Sequence, residues 1–239
     1  MIVTIHQPEH LPWLGLLDKV RQADVFVLLD NVQFRKNYFQ NRNRVRTQSG
    51  ADWITVPVIT KGRADQLIRD VEVDGRANPR WMQIAGSTLR QSYRQTRHWQ
   101  DHEPFFEDIY KREWKQLSEL NEILIRYLLE AFSIKVRILK ASEIGATGKG
   151  TDLLLNVCQD LKAETYLSGI SGRDYLNLDA FATASIAVRF QEFHHPIYRQ
   201  FYEPFLPCMS SVDLLFNHGS ASIEILQGIG VPTLDEVFR

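Results

Sequence analysis

The chain opens on a short apolar run, Met1 to Ile5, that stops at His6, and a second run follows at Asp24 to Leu29. Between them Leu14, Leu16, Leu17 and Val20 recur at helical spacing, which predicts a buried strand, a helix from Leu14 to Arg21 and a second buried strand. Strand, helix and strand in that order open a right-handed βαβ unit with a parallel sheet. The same alternation returns late in the chain. Val136 to Leu139, Thr165 to Leu167 and Ala187 to Phe190 predict strands, Thr151 to Leu161 a helix with Thr151 as N-cap, and Ser211 to Gly219 a short helix stopped by glycine.

Between these stretches the pattern changes twice. Gln33 to Arg46 is basic, aromatic and rich in amides, alternating Tyr38, Gln40 and Arg42 against Phe39, Asn41 and Asn43 ahead of a Ser49-Gly50-Ala51 turn, so it predicts a pair of extended strands. From Asn78 to Phe132 the spacing is helical. Asn78-Pro79-Arg80 caps a segment reaching about Tyr93, Glu103-Pro104 opens another, and Leu117, Leu120, Leu124, Tyr127, Leu128 and Phe132 share a face. The expected fold is α/β: a Rossmann-like, mostly parallel sheet with a β-hairpin excursion and a helical insertion. Residues 1–75 would hold the first half of the core with the basic hairpin, 76–133 the insertion over the ligand edge of the sheet, and 134–239 the second half of the core.

Composition narrows the function classes. A chain of 239 residues with 44% apolar content supports a substantial core, and a net charge of −1 excludes a strongly cationic nucleic-acid binder of the usual kind. Cys158 and Cys208 lie far apart with no Cys-x-x-Cys or Cys/His ligand spacing, which predicts neither a disulfide framework nor a zinc site. With no signal-peptide pattern and no apolar stretch approaching about twenty residues, the expectation is a cytoplasmic protein without stable membrane insertion.

The candidate chemistry gathers at predicted strand ends. In open α/β sheets ligands bind outside the carboxyl ends of strands, and helix starts offer backbone N–H groups to anions. His6, Gln7, His10 and Trp13 occupy the turn after the first strand, stiffened by Pro8 and Pro12, and Asp30 follows the second strand. Ser168, Gly169 and Arg173 form a Ser/Gly loop after the Thr165 strand, suited either to an anion or to a plain turn before a helix containing Tyr175. His194 and His195 follow the last strand. Arg35, Lys36, Arg42, Arg44 and Arg46, with Asn41, read either as a solvated hairpin face or as a phosphate clamp, since guanidinium forks match phosphate oxygens. Gly145 to Lys149 lacks the phosphate-loop spacing, which would need glycine at Glu143 and a hydroxyl at Gly150. His98 and His102 read as surface residues, and Trp81, Trp99 and Trp114 as core or as part of a homodimer interface.

Several blocks then combine. His6-Gln7-Pro8 with Pro12-Trp13-x-Gly15 and Lys19, Gln40-Asn41-Arg42, Tyr166-Leu167-Ser168-Gly169 with Tyr175, and His195-Pro196-x-Tyr198-x-Gln200 before Asp213 to Asn217 together resemble the WbqC-like protein family over nearly the whole chain. His10 stands where that family would show an aromatic such as tyrosine. The resemblance implies a context of bacterial surface polysaccharide or O-antigen gene clusters. A looser similarity, to the HIGH-type nucleotidyltransferase superfamily, implies that His6 meets an α-phosphate and that Ser168 to Arg173 hold the β and γ phosphates. The spacing here is His-x-x-x-His, whereas that motif has His-x-Gly-His.

The expected function is a transferase of polysaccharide-precursor synthesis that either uses ATP and Mg²⁺ to activate an acyl or aminoacyl group for a nucleotide-linked amino sugar or acts directly on such a sugar. His6, His195 and Asp30 would be catalytic, with His195 as general base and Asp30 holding Mg²⁺ or a hydroxyl. His10, Trp13, Lys36, Asn41, Arg42, Ser168, Gly169 and Arg173 would bind phosphate or nucleotide, and Gln7, Tyr175, Tyr198 and Gln200 the substrate. The alternative is a non-catalytic module that binds a nucleotide sugar or a glycosyltransferase. Nucleic acid is not an expected partner.

Overall fold

The computed structural model describes residues 1–237, which divide into two compact units. The sheet unit comprises Met1–Gln7, Asp18–Val32 and Ile134–Phe193; the helical unit comprises Pro8–Leu17, Gln33–Ser133 and the chain from His194 onward.

In the sheet unit, β1 (Ile2–His6), β2 (Val25–Leu28), β5 (Arg137–Lys140), β6 (Thr165–Ser168) and β7 (Ala187–Phe190) form one parallel sheet in the order β5-β2-β1-β6-β7. Successive strand residues point to opposite faces. Val3, Ile5, Val25 and Val27 therefore face one way, into a core completed by Val157 of α5 (Gly150–Asp160) and Phe181 of α6 (Leu178–Thr183). Tyr166 stacks on Phe181 with ring centroids 5.4 Å apart. Thr4, Phe26, Leu28 and Leu167 alternate with that set and are also buried, as expected of a parallel sheet covered on both faces. Thr4 keeps its hydroxyl satisfied inside by donating to the Leu167 carbonyl.

The strand order places β2 and β5 on one side of β1, and β6 and β7 on the other. The direction of winding thus reverses between β1 and β6, the kind of point where ligands enter open α/β sheets. The carboxyl ends flanking it carry His6 and Ser168.

The helical unit holds an antiparallel hairpin, β3 (Arg42–Thr47) and β4 (Gly50–Thr55), with α2 (Trp81–Tyr93), α3 (Trp99–Ile109), α4 (Leu117–Ala131) and α7 (Ser211–His218). Its centre is aromatic. Phe216 takes Tyr93 and Trp99 at 5.0 Å and Phe106 at 5.3 Å, and Trp81 and Trp99 are both buried.

Four local expectations are corrected. Residues before Asn41 do not pair across the hairpin, so Tyr38 and Gln40 lie ahead of β3, in a bend and a turn. The third helix begins at Trp99 and carries Pro104 inside it; a proline so near the start removes few helical bonds. Lys149, not Thr151, caps α5, and the Thr151 hydroxyl instead donates to the Tyr175 carbonyl and accepts from the Asn177 N–H. The parallel sheet ends with β7, and the chain from His194 onward packs with the helical unit.

Candidate functional site

The candidate site lies at the switch point of the sheet unit. β1 delivers His6 half-buried at its carboxyl end, with Gln7 beside it. From α1 (Leu14–Arg21), Lys19 reaches back, donating to the Ile5 carbonyl at 3.2 Å and meeting His6 Nδ1 at 2.9 Å. An ammonium can only donate, so Nδ1 is the acceptor and the ring carries its proton on Nε2. Lys19 is 2% exposed, a charge held inside by these acceptors. His6 is thereby a donor at Nε2 and is not placed to take a proton there.

Across the switch point, β6 ends at Ser168, and the loop continues through Gly169 into a 3₁₀ turn, Ile170–Asp174. A side chain at Gly172 would place its Cβ 2.1 Å from Ser168 Oγ, so this glycine lets the loop close onto the strand end. A Cβ at Gly169 would meet nothing, which leaves the backbone there open to approach. Ser168 Oγ donates to the Gly169 carbonyl at 3.1 Å, Arg173 lies over the Phe190 ring, and Tyr175 is exposed.

Two neighbouring carboxylates are structural pins. Asp30 is buried after β2 and accepts from both the backbone N–H (2.9 Å) and the hydroxyl of Ser142, fixing the chain after β5. With both oxygens so engaged, Asp30 does not fit the part of a Mg²⁺ ligand, and no group of three or more His, Cys, Asp or Glu side chains is arranged for a metal among the described residues. Asp18 accepts from Arg21, Gln22 and Gln191, the last at 2.6 Å, tying α1 to the end of β7. Neither Asp18 nor Gln191 stands out in the sequence, and Lys19 enters there only through the family resemblance. The signal for Lys19 was present, since it lies on the Leu16/Val20 stripe where an apolar residue belongs.

Most of the remaining sequence candidates belong to the helical unit and are used by its fold. His10 is 0% exposed, with Nδ1 at Asn121 Oδ1 (3.1 Å) and Nε2 at the Tyr110 hydroxyl (3.3 Å), and burial pushes its pKa down to about 4. It presents no surface to a phosphate. The Asn41 amide donates to the Val56 carbonyl inside the hairpin. Arg46 is buried among the carbonyls of Thr47, Gly50 and Pro204. Arg42 lies over the Trp53 ring at 4.3 Å, and Lys36 is exposed. Trp13 covers Gly15 so closely that a Cβ there would lie 2.3 Å from the indole.

Tyr198 and Gln200 both donate to Asp213 Oδ2 at 2.8 Å, and the Tyr93 hydroxyl donates to Oδ1 at 3.0 Å. This network is enclosed and offers no substrate surface. Burial nevertheless raises the Asp213 pKa to about 6, against the pull of these donors and of Arg46. His195 is a latch: Nδ1–H donates to the Pro196 carbonyl and Nε2 accepts from the Cys208 N–H at 3.1 Å. Its acceptor position is thus taken by the backbone, which removes the basis for a general-base role in this arrangement.

Comparison with known proteins places this geometry in a family. The model of the WbqC-like protein family matches residues 7–225. The chain is also similar to the uncharacterized protein Rv1507c of Mycobacterium tuberculosis (strain ATCC 25618 / H37Rv), with 33% identity over 227 residues, covering 94% of this chain and 97% of that protein. No solved structure matches.

Proposed function

We propose, for a chain that belongs to the WbqC-like protein family, that the switch point of the sheet unit binds the phosphate of a nucleotide or nucleotide-linked amino sugar. On this reading the protein is a transferase in bacterial surface polysaccharide (O-antigen) precursor synthesis. The observation that carries the reading is the His6–Lys19 pair: a neutral imidazole whose Nδ1 is held by a buried ammonium, so that its proton sits on Nε2 as a donor. Such a group stabilises charge on a phosphate oxygen, and the open backbone at Gly169 supplies the opposite wall.

In the ATP-dependent form of the reaction, an acyl or aminoacyl carboxylate attacks the α-phosphorus. A P–O bond forms, the bond to pyrophosphate breaks, and pyrophosphate leaves with its electron pair. The amine of the sugar then attacks the acyl carbonyl: a C–N bond forms, the acyl C–O bond to the phosphate breaks, AMP leaves with its electron pair, and the amine proton passes to water. Positioning and charge stabilisation suffice for the first step. Mg²⁺ would arrive with the nucleotide, since the donor set here does not fit a resident ion.

A second reading, a non-catalytic nucleotide-sugar binder, draws support from one observation: the acceptor nitrogens His6 Nδ1 and His195 Nε2 are both occupied, so neither is placed as a base. Calorimetric titration with ATP and Mg²⁺, beside UDP- and dTDP-linked amino sugars, separates the two. ATP binding that disappears in His6→Ala, with pyrophosphate exchange dependent on an amino or carboxylic acid, supports the transferase. Sugar-nucleotide binding without exchange supports the binder, and binding of neither overturns both.

A further inference from the structure

Strand alternation sorts the basic hairpin of the helical unit into two faces. Asn43, Val45 and Ile54 point inward and are buried, while Arg42 and Arg44 share the outward face with Trp53, which pairs directly with Arg44. Trp53 is 42% exposed and Tyr38, just before the hairpin, 45%. Each ring carries a guanidinium: Arg42 over Trp53 at 4.3 Å and Arg35 over Tyr38 at 5.5 Å. With Lys36 these make four cations. Arg42 and Arg44 each donate to one backbone carbonyl, and no carboxylate pairs with any of the four among the described residues. Asp52, on the same hairpin, is turned to the Trp53 backbone N–H.

A protein of net charge −1 has no general reason to concentrate four unpaired cations around two exposed aromatic rings. We propose that this hairpin face docks the protein on an anionic membrane surface, with the guanidinium and ammonium groups on lipid phosphates and Trp53 and Tyr38 seated at headgroup depth. Aromatic rings with a polar handle favour that layer, and long cationic side chains reach its phosphates while their stems stay on apolar surface. Nucleic acid fits less well. A stacking platform uses open ring faces, and here a guanidinium already takes one face of each ring. Docking would be peripheral, since no helix is long and apolar enough to cross a membrane among the described residues.

Vesicle flotation of the full chain tests this, comparing phosphatidylcholine alone with phosphatidylcholine mixed with phosphatidylglycerol, at low and high salt. The expected result is flotation only with the anionic mixture, lost at high salt. At the ordinary value per surface cation, Arg42→Gln with Arg44→Gln should weaken partitioning roughly thirty-fold and Lys36→Gln about fivefold. Lys36 is exposed and held by no hydrogen bond or ion pair among the described residues, so its variant reports on charge without touching the fold. Trp53→Ala should weaken binding without changing the salt dependence. Equal flotation on both vesicles, flotation on neither, or salt-sensitive binding of a single-stranded oligonucleotide with no vesicle binding would overturn the proposal.

Discussion

His6 and His10 lie close together in the sequence, and the two units use them in opposite ways. In the sheet unit the ring of His6 is half-buried at the carboxyl end of β1, its Nδ1 held by Lys19. In the helical unit His10 is sealed between Asn121 and Tyr110. The same contrast separates Gly169, which has open space beside its backbone, from Tyr198 and Gln200, enclosed around Asp213. Polar residue types do not themselves mark a site. What decides is whether a polar group retains a direction in which a ligand can be met after the fold has used the rest.

The largest effect expected from breaking this contrast is at Asp213. Asp213→Leu leaves the Tyr93 and Tyr198 hydroxyls and the Gln200 amide without their buried acceptor, at about 1–3 kcal/mol each. Denaturant unfolding should therefore show a loss above about 3 kcal/mol. Lys19→Met should act on the ligand instead. It fills the same space but releases His6 Nδ1, so nucleotide affinity should fall on the order of tenfold, about 1.4 kcal/mol. ¹⁵N shifts of the His6 ring should then lose the Nε2–H tautomer signature, which separates loss of orientation from a simple packing defect.

The smallest effect is in the pH profile of the intact protein, because His10 and Asp213 oppose each other. The folded-state pKa of His10 is depressed to about 4, so the unfolded chain binds more protons between pH 4 and 6.5 and stability is lost as pH falls through that window. Asp213 is raised to about 6, so the folded chain binds more protons between its ordinary 3.8 and 6, and stability is lost as pH rises through that window. Each contributes a slope of about 1.4 kcal/mol per pH unit, of opposite sign. His102, His195 and His218, all lowered by burial, add to the acid-sensitive side. Unfolding measured from pH 6 to 4 should show Asp213→Asn more acid-sensitive than the parent and His10→Gln less so; parallel profiles for all three would refute the opposition.

Much of the sheet unit was legible because its signals are local. The apolar runs of β1 and β2 and the helical spacing of α1 each settle within a few residues, and the strand order then puts His6 and Ser168 on either side of the reversal. The helical unit resisted reading because its decisive contacts are remote: His10 with Asn121, Tyr93 with Asp213, Arg46 with Pro204. Nothing near Tyr198 or Gln200 in sequence distinguishes a substrate contact from a donor to a buried carboxylate thirteen or more positions away. Lys19 was the readable exception, a charge on an apolar stripe.

The indole of Trp13 lying over Gly15 has a bearing on how this chain can diverge. Alanine at position 15 is excluded for as long as the tryptophan keeps its place, and shrinking the tryptophan first would uncover the backbone beneath it. Neither single step is cheap, so the two positions are bound to a shared history: across descendants they should persist as a pair or be replaced as a pair, much as a lid and its vessel are recast together.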